Sequence, residues 1–314
     1  MSDKKPTLAE TICETTRDYL LNHQGVIFGQ CLNGAGQVAG TVPELTEEQG
    51  VIELPMADVM DSGIAVGYAY GNGANRDGRA IYLVRYAGFQ WFNSVFLANF
   101  ASKTKEMSGR PAPILIRTSS SDGSTGPSIG PVASSSIHGL FVRNPGMRII
   151  APMTPGEWVN GWDAWLDRDD PLFISEYRTG YGIRDEIPDI VHDNPDITLF
   201  PISTTRLNVL KALPVLEKEG IICNVIHLVW LKPCLINQRI LDPLEKSRHG
   251  GIVLDSDFEN GVSKCIACDI MQHTSRKVRV MGLEERTSGF ATHLDNLPPT
   301  SEKIYKCVKN IVDK

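Results

Sequence analysis

Between Glu53 and Gly71 the chain reads ELPMADVMDSGIAVGYAYG, a strand end that runs into a helix of small residues with Asp58 at the junction. A carboxylate there has two uses: it caps the helix by accepting from the free N–H groups of the first turn, or it faces a bound molecule. The Ser/Gly-rich segment TSSSDGSTGPSIGPVASSS, Thr118 to Ser136, directly follows a strand. Loops at strand C-termini are where α/β proteins place ligand contacts, although a mobile surface loop has the same composition. His138, just beyond it, reads either as a catalytic histidine or as a structural one. Gly34, Gly36 and Ala39 in NGAGQVAG imitate a dinucleotide fingerprint, and Glu53 is placed for its acidic role. Pro43 cuts short any helix begun at those glycines, so a flexible glycine loop is expected. Cys265 and Cys268 form one CxxC with no second pair at metal spacing, and read as two residues on one helix.

The elements that must position these residues alternate. Val26–Gly29, Ile81–Val84, Ile114–Arg117, Arg148–Ala151 and Leu172–Ser175 read as strands, separated by helices at Thr7–Leu21, Asp58–Tyr70, Gln90–Met107 and Pro155–Leu166. Short apolar runs alternating with helical segments predict an α/β fold with two mainly parallel-sheet domains. The boundaries expected are a first domain over 1–183, a polar linker over 184–196 and a second domain over 197–314. In the second, strands are expected at Thr198–Ile202, Ile221–Leu228, Gly251–Asp255 and Val278–Leu283. Its helices are expected from Ser203 or Thr204 to Glu219, and near Asn237–Lys246, Glu259–Met271 and Ser301–Val312. The Gln90–Met107 helix carries Trp91, Phe92, Val95, Phe96, Leu97 and Phe100, which leaves little polar surface. Such a helix is buried on most sides, and contact with another subunit is preferred here over internal packing.

Composition narrows the function. A chain of 314 residues, 42% hydrophobic, can bury a substantial core, and its formal net charge of −6 gives no electrostatic reason to bind nucleic acid. No apolar run is long enough to span a membrane, and no apolar segment follows the charged start as in a signal peptide, so a cytoplasmic protein is expected. Seven dispersed cysteines do not form a disulfide framework.

The collinear order of GQCLNGAG, LPMADVMDSGIAVGYAYG, YAGFQWFNSVFLANFASKTKEMSG, NPGMRIIAPMTPGEW, DDPLFISEYR and VIHLVWLKP, ending near DNLPPTSEKI, resembles the beta subunit of the thiamine-diphosphate 2-oxoacid dehydrogenases, within the transketolase-like family. The resemblance covers nearly the whole chain. It implies a thiamine-diphosphate pyrimidine-binding domain followed by a transketolase C-terminal domain. It further implies a heteromeric enzyme, an alpha2beta2 assembly, in which an alpha-type subunit holds the cofactor's diphosphate and Mg2+ through a GDG motif. No GDG occurs in this chain. Asp58 aligns with the carboxyl group that activates the cofactor by sharing a proton with its aminopyrimidine, and Phe89 with the aromatic residue against which that ring stacks.

Three positions depart from the family pattern. Asp58 replaces a glutamate, Gln30 replaces the acidic residue of the first-strand loop, and Ala133 stands where the active-site histidine falls. The lost methylene is about 1.3–1.5 Å of reach, against a hydrogen bond of about 2.7–3.2 Å. Ser134, Ser135, Ser136 and His138 could then hydrogen-bond a substrate, in a neutral loop that suits an uncharged polar compound or one whose charge the partner handles. The resemblance implies decarboxylation of a 2-oxoacid and transfer of the acyl carbanion equivalent to an acceptor. A split transketolase or an acyloin carboligase, acting on a sugar or aldehyde, and a non-catalytic structural subunit are the other readings.

Overall fold

The computed structural model describes residues 4–34, 37–121, 130 and 134–314. The strands are β1 (Val26–Gly29), β2 (Val51–Glu53), β3 (Ala80–Val84), β4 (Leu115–Ser120), β5 (Arg148–Ile150), β6 (Leu172–Tyr177), β7 (Ile197–Pro201), β8 (Cys223–Val225), β9 (Trp230–Lys232), β10 (Gly251–Phe258) and β11 (Val278–Leu283). They form a seven-stranded sheet in the order β2-β1-β3-β4-β6-β5-β9 and a four-stranded sheet in the order β11-β10-β7-β8. Every pairing is parallel except that of β9 on β5. The α/β class read from the alternation is therefore the observed one. β3, β4 and β6 are buried at every residue, which is why they do not alternate apolar and polar; the charges they do carry, Arg117 on β4 and Glu176 on β6, pair with each other at 2.7 Å.

Local signals set the helices that cover the large sheet. Thr7 and Glu10 form a reciprocal capping box that starts Leu8–Asn22. Thr154 caps Pro155–Leu166, with Pro155 in the first turn where it has no N–H to waste. Trp158, Trp162 and Trp165 then recur on the buried face of that helix, and the Trp165 indole N–H donates to the Pro113 carbonyl at 2.8 Å. The single helix expected over Gln90–Met107 is instead broken. An α segment, Gln90–Phe96, passes into a π turn, Leu97–Ala101, and a short helix resumes at Thr104–Ser108. At the break the Ser102 hydroxyl donates back to the Ala98 carbonyl at 2.8 Å, and the Ser102 carbonyl packs on Gly146, whose φ of +75° no Cβ would tolerate there.

β9 lies in sequence between β8 and β10 of the small sheet, yet it pairs with β5 at the edge of the large one. One buried apolar cluster accordingly runs from Phe28, Tyr82 and Ile116 to Phe200, Ile226 and Val253. Residues 184–196 pass between the sheets under restraint. Ile190 bridges Val225, Asp189 pairs with Arg239 at 2.7 Å, and Asp196 accepts from the Ile222 N–H at 2.8 Å.

Candidate functional site

A cavity of about 160 Å³ opens at the C-terminal ends of β1 and β3, lined among others by Gln30, Asp58, Tyr82, Arg85, Tyr86 and Phe89. Strand C-termini of a parallel sheet are the usual place for a ligand. The three residues assigned to the cofactor from the sequence, Asp58, Phe89 and Gln30, therefore share one wall. Asp58 is the first residue of the helix Asp58–Asn72, whose N-cap is Ala57, with no side-chain cap hydrogen bond. The half-buried Asp58 carboxylate has no hydrogen-bond partner among the described residues, so it does not serve as the cap. Its place at the positive end of the helix favours a carboxylate.

Asp61, one helical turn further on, was not singled out in the sequence and is completely buried. Gln30 donates to its Oδ2 at 2.5 Å, while Oδ1 has no partner among the described residues. A carboxylate only accepts, so the Gln30 amide nitrogen faces Asp61 and its carbonyl oxygen is left for the cavity. Tyr82 donates to Asn93 at 2.8 Å, and Asn93 in turn donates to the Phe89 carbonyl at 3.0 Å. Burial, with Asp61 and Asp58 adding to it, holds the Tyr82 phenol protonated far above its ordinary range. Gln90 is buried with neither amide atom paired within the described residues. The i, i+3 spacing makes Asp58 and Asp61 neighbours on the helix, but it does not reveal that Asp61 is buried.

Ser135, Ser136 and His138 are not among the residues that line this cavity. His138 is fully buried where the sheets meet, with one ring nitrogen 3.1 Å from the Ser175 hydroxyl on β6 and the other 2.9 Å from Asp255 on β10. Burial alone would lower its pKa, but the charge and hydrogen bond of Asp255, with Asp257 behind, outweigh it and raise it. Asp257 accepts from the Gly139 N–H at 2.7 Å, and burial, reinforced by Asp255 and opposed by His138, pushes it up to about 6. The Ser136 hydroxyl meets that of Ser256 at 2.9 Å, and the Ser135 carbonyl accepts from Ser120 at 3.5 Å. With both nitrogens engaged and no exposed surface, His138 joins the two sheets rather than presenting itself to a substrate in this arrangement. Ala133 and Gly36 lie outside the described residues.

The glycine loop makes no long helix. Gln37, Val38 and Ala39 take positive φ in a single left-handed turn, and both carboxylate oxygens of Glu53 accept from the Cys31 and Asn33 N–H groups. Glu53 thus fastens the loop. Cys265 and Cys268 are exposed on the helix Val262–Gln272, and no group of three or more potential metal ligands occurs among the described residues.

Beside the cavity, the helices Asp58–Asn72 and Gln90–Phe96 pack closely where Gly63 meets the Phe96 ring. They expose Met60, Ile64, Trp91, Phe92 and Val95, with Met56 just before the first helix and Phe100 in the π turn after the second. No helix among the described residues is long and apolar enough to cross a membrane.

No family model matches the chain. It is 24% identical over 284 residues to the pyruvate dehydrogenase E1 component subunit beta of Staphylococcus epidermidis, covering 85% of each chain. It is 25% identical over 250 residues to the 2-oxoisovalerate dehydrogenase subunit beta of Bacillus subtilis, covering 75% of this chain and 73% of that one. Among solved structures, a split-gene transketolase described as an inactive beta4 tetramer superposes with a TM-score of 0.71 at 15% identity, covering 98% of this chain and 96% of the other. The chain is thus a divergent relative of the beta subunits of the 2-oxoacid dehydrogenases, on a transketolase-like fold.

Proposed function

We propose that this chain is the beta-type subunit of a heteromeric thiamine-diphosphate enzyme that decarboxylates a 2-oxoacid and passes the acyl unit to an acceptor. The observation that carries the proposal is the free Asp58 carboxylate, which faces the cavity that Phe89 and Gln30 also line. An aminopyrimidine needs an apolar face to stack on, a carboxyl group to share a proton with its ring nitrogen, and an acceptor for its amino group. Phe89 and Tyr86 provide the first, Asp58 the second and the Gln30 carbonyl oxygen the third, so these residues fit that end of the cofactor. The alpha-type partner would hold the diphosphate and Mg2+.

When bound, thiamine diphosphate supplies the nucleophilic carbon and the electron sink. Asp58 would hold and exchange a proton at the ring edge. Buried Asp61 fixes Gln30 beside it, and Tyr82, kept protonated, donates to Asn93 and so steadies the turn that presents Phe89. The exposed apolar helices next to the cavity are the surface that the partner covers, in an alpha2beta2 assembly in the cytoplasm.

Co-expression with an alpha-type chain bearing GDG, followed by assay of 2-oxoacids with and without thiamine diphosphate, tests this reading. Asp58→Ala should lower cofactor-dependent turnover by about 100-fold or more, the scale of a lost proton-transfer group. Unchanged turnover in that variant would remove the activating role. A complex that binds no cofactor would remove the enzyme.

A further inference from the structure

A larger cavity lies elsewhere. It encloses about 560 Å³ between the helix Pro155–Leu166, β5, the segment His227–Trp230 and the start of the helix Gln238–Lys246. It shares no residue with the cavity at Asp58. Its volume falls within the range of small-molecule sites, about 300–1,000 Å³.

Its charges are unbalanced. Glu157 is held by both outer nitrogens of buried Arg206 at 2.7 Å, and Arg239 is matched by Asp189. The other two lining arginines have no such partner. Arg148 donates only to the Ala164 and Asp170 carbonyls, and exposed Arg168 makes no side-chain hydrogen bond or ion pair among the described residues. Three arginines and one carboxylate, Glu157, line the recess, with the charge of Asp170 also acting on Arg148. Asn237, the N-cap of the helix Gln238–Lys246, makes no cap hydrogen bond, so free N–H groups of a first turn add to that field.

Two buried donors on the lining are unpaired. Nε of Arg148 and Nε2 of His227 have no acceptor among the described residues, although the side chains are 9% and 2% exposed. The Arg206 guanidinium, which only donates, lies 3.2 Å from Nδ1 of His227, so that nitrogen accepts and the ring proton sits on Nε2. Burial and then Arg206 push the His227 pKa down to about 4, which keeps the ring neutral near pH 7. An unpaired buried donor is destabilising, and an anion that accepts from it relieves part of that cost. Trp230, Leu228, Pro233 and Ile240 add apolar lining to the same cavity.

We propose that this cavity binds a small organic oxyanion, a phosphate or carboxylate on a flat apolar body, with Arg148, Arg168 and His227 receiving the anion and Trp230 the body. The occupant is separate from the cofactor, and the proposal stands independently of the reaction at Asp58.

Isothermal titration of the full chain with phenyl phosphate, phenylacetate and inorganic phosphate tests it. At least one aryl anion should bind about tenfold more tightly than inorganic phosphate, because only the aryl compounds use the apolar wall. Which of the two binds identifies the oxyanion. Arg168→Gln, an exposed change that leaves the fold intact, should weaken that binding about fivefold or more, and Trp230→Ala should erase the advantage over inorganic phosphate. Absence of saturable binding by either aryl anion, or binding that Arg168→Gln leaves unchanged, would overturn the proposal. So would inorganic phosphate binding as tightly as both aryl probes.

Discussion

At the residue scale the candidate site turns on Asp58, Asp61 and Gln30. The sequence placed Asp58 at a strand-to-helix junction, but only the backbone showed Ala57 as the N-cap and left the carboxylate free. Asp61 escaped notice because a helical aspartate is ordinarily solvated, and nothing local reveals that this one is sealed beneath Gln30. The pairing also gives the departure at residue 30 a physical reason. A glutamate there would face Asp61 across 2.5 Å, and two carboxyl groups that close share one proton. Gln30→Glu should therefore destabilise the chain by about 1–3 kcal/mol near pH 8. The loss should shrink near pH 5, where the shared proton is bound. Thermal melts of the two proteins at both pH values check this, and a penalty independent of pH would count against a buried carboxyl pair.

At the element scale, the helix Asp58–Asn72 and its neighbour Gln90–Phe96 do two jobs. Their inner faces lock at Gly63 and Phe96, while Trp91 and Phe92 stand 62% and 52% exposed on the outside. The apolar content of Gln90–Met107 was plain in the sequence. The π turn at Leu97–Ala101 was not, because a run of helix formers carries no local mark of the tertiary contact between Ser102 and Gly146. Replacing both Trp91 and Phe92 by glutamate should leave the monomer folded, since neither ring is in the core. It should weaken association, with itself or with an alpha-type chain, by about 100-fold, as expected when central aromatic anchors are lost. Light scattering and co-purification read this directly, and unchanged association would place the interface on another face.

At the scale of the whole molecule, the two sheets are joined by the β9 exchange and by His138 set between Ser175 and Asp255. His138 and Asp257 both bind protons more tightly in the fold than in the unfolded chain, so the stability they lend falls as pH rises. The share from Asp257 declines from its ordinary value of 3.8 up to about 6. That of His138 is complete below 6.5 and is lost as pH climbs through its raised folded value. The melting temperature should therefore fall as pH rises above 6.5 more steeply in the native chain than in His138→Gln. That variant should cost about 3–5 kcal/mol at the acid end, the order for removing one partner of a buried ion pair. Parallel curves would mean that the contact does not titrate. By itself the sequence determined the α/β class, most strands and helices, the kinship with 2-oxoacid dehydrogenase beta subunits and the place of Asp58, because hydrophobic period, caps and motif order are local properties. Tertiary structure alone decided that Asp61 stands behind Gln30, that His138 joins the sheets, and that Arg148 and His227 line one cavity. Those pairings bring together residues up to more than a hundred positions apart, and burial, charge and hydrogen bonding act through space rather than along the chain.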